Sequence, residues 1–126
     1  MLINDAATVA ELEALYPQYE TALVTNDVDT LTAMFWAAPQ VMRFGVTENL
    51  YGIEELEAFR KGRAAVNLAR KVVRLDIVTF GRDFGSVTLE FERQTGEKLV
   101  RGRQSQTWVR MPEGWRIVAA HVSLLP

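Results

Sequence analysis

Several side chains able to bind or move charge fall on faces that the hydrophobic periodicity otherwise makes apolar. With about 100° of rotation per helical residue, Ile53, Leu56 and Phe59 define one stripe, and Arg60 and Arg63 project within it. Either both arginines point inward, or their stems cover the core while the guanidinium groups reach solvent at its edge. Tyr19 lies at the centre of a second stripe, made by Val9, Leu12, Leu15, Tyr16 and Leu23. A buried tyrosine hydroxyl needs a partner, most often backbone, and gains chemical meaning only in company. Arg43 shares a strand face with Val41 while Met42 and Phe44 take the other, so alternation leaves its direction open.

Two later strands add further candidates. Leu99, Arg101, Arg103, Ser105, Thr107 and Val109 alternate with Val100, Gly102, Gln104, Gln106 and Trp108, so both faces mix apolar and hydrogen-bonding groups and the strand could line a polar cavity. On the last strand Trp115, Ile117, Ala119, His121 and Ser123 share a face, which predicts an inward His121. That histidine is either a satisfied core residue or an acid, base or anion ligand near neutral pH. Together, arginines, tyrosine, amides, hydroxyls and one imidazole suit recognition of a carboxylate, whose two oxygens match the arginine fork, and proton transfer without a cofactor.

Composition narrows the field. The net charge of -2, from 14 basic and 16 acidic residues, gives no global reason to expect nucleic acid or an anionic membrane as partner, so affinity for an anion must be local. There is no cysteine, hence no disulfide, thiolate nucleophile or sulfur-bound metal. One histidine and dispersed acidic residues argue against a metal site. Phosphate-loop and dinucleotide-binding glycine patterns are missing, as is a nucleophile elbow, and no cofactor is expected. The N-terminal MLINDAATVAELEAL lacks a basic segment followed by an apolar run, so a soluble, untargeted, cytoplasmic protein is expected.

The elements that must position these groups are legible in order. Thr8 and Glu11 have the form of a capping box opening the first helix, which Pro17 should kink near Leu15. Asp27 is a good N-cap for a second helix carrying Val28, Leu31, Met34 and Phe35, closed by Pro39. Short strands at Val41 to Phe44 and Asn49 to Tyr51 precede a third helix from Ile53 to about Val66. From Lys71 the period becomes two, in VVRLDIVTF, SVTLEFER, LVRGRQSQTWVR and WRIVAAHVSLL, separated by GRDFG, QTGEK and MPEG. Helices followed by an antiparallel meander predict one α+β domain over residues 1–126, with helices packed on a curved sheet.

The layout of two helices, FWAAPQVMRFG, ENLYGIEELEAFR and RQSQTWVRMPEGWRIVAAHVS resembles the SnoaL-like branch of the NTF2-like superfamily over essentially the whole chain. More narrowly, YETALVTNDVDTLTAMFW, RFGVTENLYG, VTFGRDFGSV and GRQSQTWVRMPEGWRIVAAHVSL are similar to the AtzH-like group, which includes HpxZ-like proteins of oxalurate catabolism. The resemblance implies a cystatin-like cone enclosing a small pocket, in a homodimer encoded beside amidase-family hydrolases. It implies a cofactor-independent decarboxylase that converts 1,3-dicarboxyurea to urea-1-carboxylate (allophanate), in cyanuric acid or ureide breakdown. It also implies that the tyrosine of the YE-x-AL helix and the arginine of the R-[FY]-G strand, here Tyr19 and Arg43, are the pocket residues tied to activity.

On that reading Arg43 grips a carboxylate and offsets charge, Tyr19 donates or relays a proton to the leaving nitrogen, and Arg60, Arg63, Arg103, Ser105 and His121 contact the substrate. The rival expectation is a non-catalytic accessory or metabolite-binding partner of an amidase, since one fold hosts many functions. Hydration, dehydration or isomerisation of an unrelated small molecule is a third. Finally, Val87, Leu89 and Phe91 on one strand and Val118, Val122 and Leu124 on another suggest a sheet apolar on both sides, which predicts a homodimer packed sheet to sheet.

Overall fold

The first two helices of this chain start at aspartates. In the computed structural model, which describes residues 1–63 and 68–126, helix α1 (Ala6–Val24) is capped by Asp5, whose carboxylate accepts from the Thr8 backbone N–H at 3.3 Å and its hydroxyl at 2.7 Å. The expected capping box at Thr8 is therefore corrected: Thr8 is a donor inside the first turn, and Asp5 supplies the acceptor. The helix runs through Pro17 as one element. Asp27 caps α2 (Val28–Met34) in the same way through Thr30, as the sequence predicts. Strands β1 (Met42–Phe44) and β2 (Asn49–Tyr51) form a small hairpin. Gly52, at φ 84°, then turns the chain into α3 (Ile53–Gly62), a backbone angle that favours glycine. The expected helix end near Val66 lies outside the described residues.

The remaining strands, β3 (Lys71–Phe80), β4 (Phe84–Thr95), β5 (Lys98–Met111) and β6 (Gly114–Leu124), form the predicted meander. The sheet order is β2-β1-β6-β5-β4-β3, antiparallel except where β1 runs parallel to β6. Val87, Leu89 and Phe91 of β4, with Gln104, Gln106 and Trp108 of β5, face the helices and pack with Leu12, Tyr19, Leu31 and Leu56 into the core.

One irregularity decides which side chains enter the interior. Thr107 pairs with Ala119 but Trp108 pairs with Ile117, so β6 carries one extra residue, Val118, opposite β5. Because strand side chains alternate, such a bulge reverses the parity of everything beyond it. Trp115 and Ile117 are buried as expected, whereas Ala119, His121 and Ser123 turn to the outer face and Ala120, Val122 and Leu124 turn in. The inward placement expected of His121 is thus overturned. The same register corrects the basis for a doubly apolar sheet: Val87, Leu89, Phe91, Val122 and Leu124 all face the helices. The outer face instead carries Thr88, Glu90, Arg103, Ser105 and His121, with an apolar corner at Met42 and Phe44.

Candidate functional site

Between the helices and the inner face of the sheet lies a cavity of about 230 Å³, walled by Arg43, Glu48, Arg63, Arg70 and Arg93 together with Leu23, Leu68, Phe91, Val122 and Leu124. Arg43, which alternation left undecided, points inward and is 4% exposed. Its Nη1 donates to the Glu48 carboxylate at 2.9 Å, while its buried Nε has no partner. The RFG-V-T-E segment builds this pair locally. The Gly45 N–H donates to the Glu48 carbonyl at 2.8 Å and closes the turn, and a Cβ on Gly45 would collide with the Glu48 carboxyl group. The other carboxylate oxygen of Glu48 accepts from the Thr47 N–H and hydroxyl at 3.3 and 2.9 Å. Burial pushes the Glu48 carboxyl up, but the Thr47 hydrogen bonds and the Arg43 guanidinium outweigh it and hold it below the usual carboxylate range.

Behind the cavity wall sit Tyr19 and Arg60, 1% and 2% exposed. Arg60 Nη2 donates to the Tyr19 hydroxyl at 3.3 Å, and Arg60 Nη1 is buried without a partner. The Tyr19 hydroxyl donates to none of the described residues. Burial, with repulsion from Arg43 and Arg63, pulls the Arg60 guanidinium below its ordinary value, against the partial support of Tyr19. Arg63 follows the end of α3 and lies over the Phe59 ring at 5.1 Å. Burial lowers it too, and it feels both Arg43 and Arg93.

Of the seven residues the sequence nominates, Arg43 and Arg63 line the cavity, and Tyr19 and Arg60 lie buried behind it, Arg60 within electrostatic reach of both. The other three do neither. Arg103 is exposed and donates to Ser123 Oγ at 3.0 Å, Ser105 stands opposite His121 on the outer face, and the His121 ring is 5.9 Å from that of Phe44. The bulge at Val118 removes His121 from the interior. On β5 it is Gln104 and Gln106, not Arg103 and Ser105, that take the inner face.

The sequence reading missed a second charged constellation. Arg70 grips Glu20 with two hydrogen bonds of 2.8 Å, donates to Gln104 Oε1 at 2.8 Å and to the Tyr16 hydroxyl at 3.3 Å, and lies 4.4 Å from the centre of the Phe91 ring. Tyr16 in turn donates to Glu20 at 2.7 Å and accepts from Gln104 at 3.0 Å. Phe91 occupies the space where any side chain on Gly102 would sit, so that glycine is what lets the ring lie flat beneath Arg70. Burial and the neighbouring Glu20 push the Tyr16 phenol far up. Burial raises the Glu20 carboxyl, but Arg70 and the Tyr16 hydroxyl prevail and hold it low. Only Gln104 carries a signal, as a hydrogen-bonding residue on a strand face shared with Val100 and Trp108; Arg70, at the edge of a strand, reads as an ordinary surface cation.

The family model described as AtzH-like matches residues 1–126. The chain belongs to the AtzH-like family. Among solved structures it is similar to a protein of unknown function from Pectobacterium atrosepticum SCRI1043, with 48% identity, a TM-score of 0.93, and coverage of 98% of this chain and 95% of that one. It is also similar to a cystatin-like fold protein from Burkholderia xenovorans LB400, with 42% identity, a TM-score of 0.90, and coverage of 100% and 99%. An NTF2-like superfamily protein from Salmonella enterica serovar Typhimurium LT2 shares 18% identity over 96% of this chain and 93% of that one, at a TM-score of 0.78, and so shares the fold. No curated protein matches the sequence. The AtzH-like chain is thus an NTF2-like α+β fold, and no helix among its described residues is long and apolar enough to cross a membrane.

Proposed function

We propose that this AtzH-like protein is a cofactor-independent decarboxylase acting on 1,3-dicarboxyurea and releasing urea-1-carboxylate. The observation that carries the reading is the pair of buried donors without a partner among the described residues, Arg43 Nε and Arg60 Nη1, the second on the arginine that donates to the Tyr19 hydroxyl. An unpaired buried N–H costs free energy until an acceptor reaches it, so the two donors ask for a small polar anion. In the proposed reaction the bond between the urea nitrogen and its carboxyl carbon breaks, the electron pair stays on nitrogen, and carbon dioxide leaves. Tyr19 gives its proton to that nitrogen as the bond opens and regains one from solvent, for a net uptake of one proton. Arg60, donating to the Tyr19 oxygen, supports the transient phenolate, and Arg43 offsets charge developing on the urea. A nitrogen leaving group needs no electron sink, so the residues alone can do this.

The test mixes purified protein with freshly generated dicarboxyurea and follows carbon dioxide release. Release well above the buffer rate is expected; a rate equal to buffer overturns the enzyme reading and favours a non-catalytic metabolite-binding role. The proposal keeps a homodimer through the outer sheet face, now centred on the exposed Met42 and the adjoining Phe44 and Ala119 rather than on the β4 residues. Light scattering at micromolar concentration should give twice the 14.2 kDa chain mass.

A further inference from the structure

The arginines of the cavity are not equivalent. Arg43 is matched by Glu48 and Arg70 by Glu20, whereas Arg63 and Arg93 line the same space and form no salt bridge among the described residues. Counting Arg60 behind the wall, five guanidinium groups face two carboxylates. The register orders them. Arg43 lies in the row of Ala120, Gln106 and Val87, while Arg93 lies six residues further along β4, past the row of Phe91, Gly102 and Leu124. Arg43 and Arg93 thus enter from opposite ends of the wall, and Arg63 is close enough to be repelled by both, with only partial support from Glu48, which is already paired to Arg43.

We infer that Arg63 and Arg93 form a second anion subsite, which holds the carboxylate that the substrate keeps, and that the protein selects small dicarboxylates over monocarboxylates. The direction of binding rests on the decarboxylase reading; the subsite rests on the unpaired arginines. A carboxylate that departs as carbon dioxide loses its charge at the transition state, so a strong grip on it would stabilise the substrate more than the transition state. Unmatched arginines therefore belong on the carboxylate that stays, whose charge does not change during the reaction. Arg43, already balanced by Glu48, is suited to the reacting end, with Arg60 and Tyr19 behind it. Arg93 is a specificity-determining residue that no motif singles out.

Glutarate, a five-carbon diacid that cannot lose carbon dioxide by this route, and pentanoate, the monoacid of equal length, are the probes. By titration calorimetry the unmodified protein should bind glutarate at least about tenfold more tightly than pentanoate, the gain of one further arginine–carboxylate contact. Arg93→Gln, and separately Arg63→Gln with Arg93→Gln, should erase that preference. With dicarboxyurea, Arg93→Gln should raise KM about tenfold and leave kcat within about twofold, because the lost contact is equal in ground and transition states. No preference for glutarate in the unmodified protein, or a preference that survives both variants, overturns the subsite. The two readings fail separately: a glutarate preference without turnover removes the decarboxylase and keeps the subsite, and turnover without the preference does the reverse.

Discussion

The two faces of this sheet are built from the same strands, yet one gathers charge at a cavity and the other spreads it into solvent. On the inner face Arg43, Arg70 and Gln104 are buried or nearly so and held by side-chain partners, with Phe91 as a platform. On the outer face Arg74, Arg101 and Arg103 pair with Asp76, Glu92 and Ser123 at exposed positions. Exposed pairs of that kind contribute little, about 0–1 kcal/mol each. The difference is therefore not the stock of polar residues but which parity each strand adopts, and on β6 a single extra residue, Val118, decides it.

The largest test of that contrast is to insert one alanine between Ala119 and Ala120, past the bulge. Regular pairing beyond the inserted residue would then turn His121 and Ser123 inward and expose Ala120, Val122 and Leu124. Lost burial and unmatched polar groups should cost more than about 3 kcal/mol, read as a collapse of the urea-unfolding midpoint. Gly102→Ala attacks the inner face alone by intruding on Phe91, and should cost about 1–3 kcal/mol in thermal unfolding while displacing the platform under Arg70. A smaller effect follows from acid. Glu20 and Glu48 are both held below the usual carboxylate range in the folded protein, so their stabilisation is complete above the unfolded value near 4.5 and is lost as pH falls through their folded values. The urea midpoint should hold steady from pH 7 to about 5 and then decline. Glu20→Gln should flatten that decline and also lower the midpoint at pH 7.

Much of this was legible before any coordinates. Helical phase puts Tyr19 and Arg60 on faces that are buried in the fold, Arg63 lies just past the end of α3, and the two-residue period after Lys71 defines four strands in the observed order. Arg43, whose direction strand alternation leaves open, lines the cavity. What failed had a local cause. A bulge leaves no mark in an alternation of Val, Ala and His, because VAAHV reads equally well in either register, so His121 was misplaced. Asp5 was overlooked because Thr8 and Glu11 imitate a cap three residues later. Arg70 could not be found from periodicity, since its partners Tyr16, Glu20 and Gln104 meet only in the folded chain.

The inner face can be set against the outer one in a single assay. Dicarboxyurea decarboxylation would be measured for Tyr19→Phe, Arg43→Ala and the outer-face pair Ser105→Ala with His121→Ala. The first two should lose at least about 100-fold in kcat/KM, and the outer-face pair should stay within about twofold of the unmodified protein. Full turnover in Tyr19→Phe and Arg43→Ala, or its loss in the outer-face pair, would contradict the placement of the site in the buried arginine cavity.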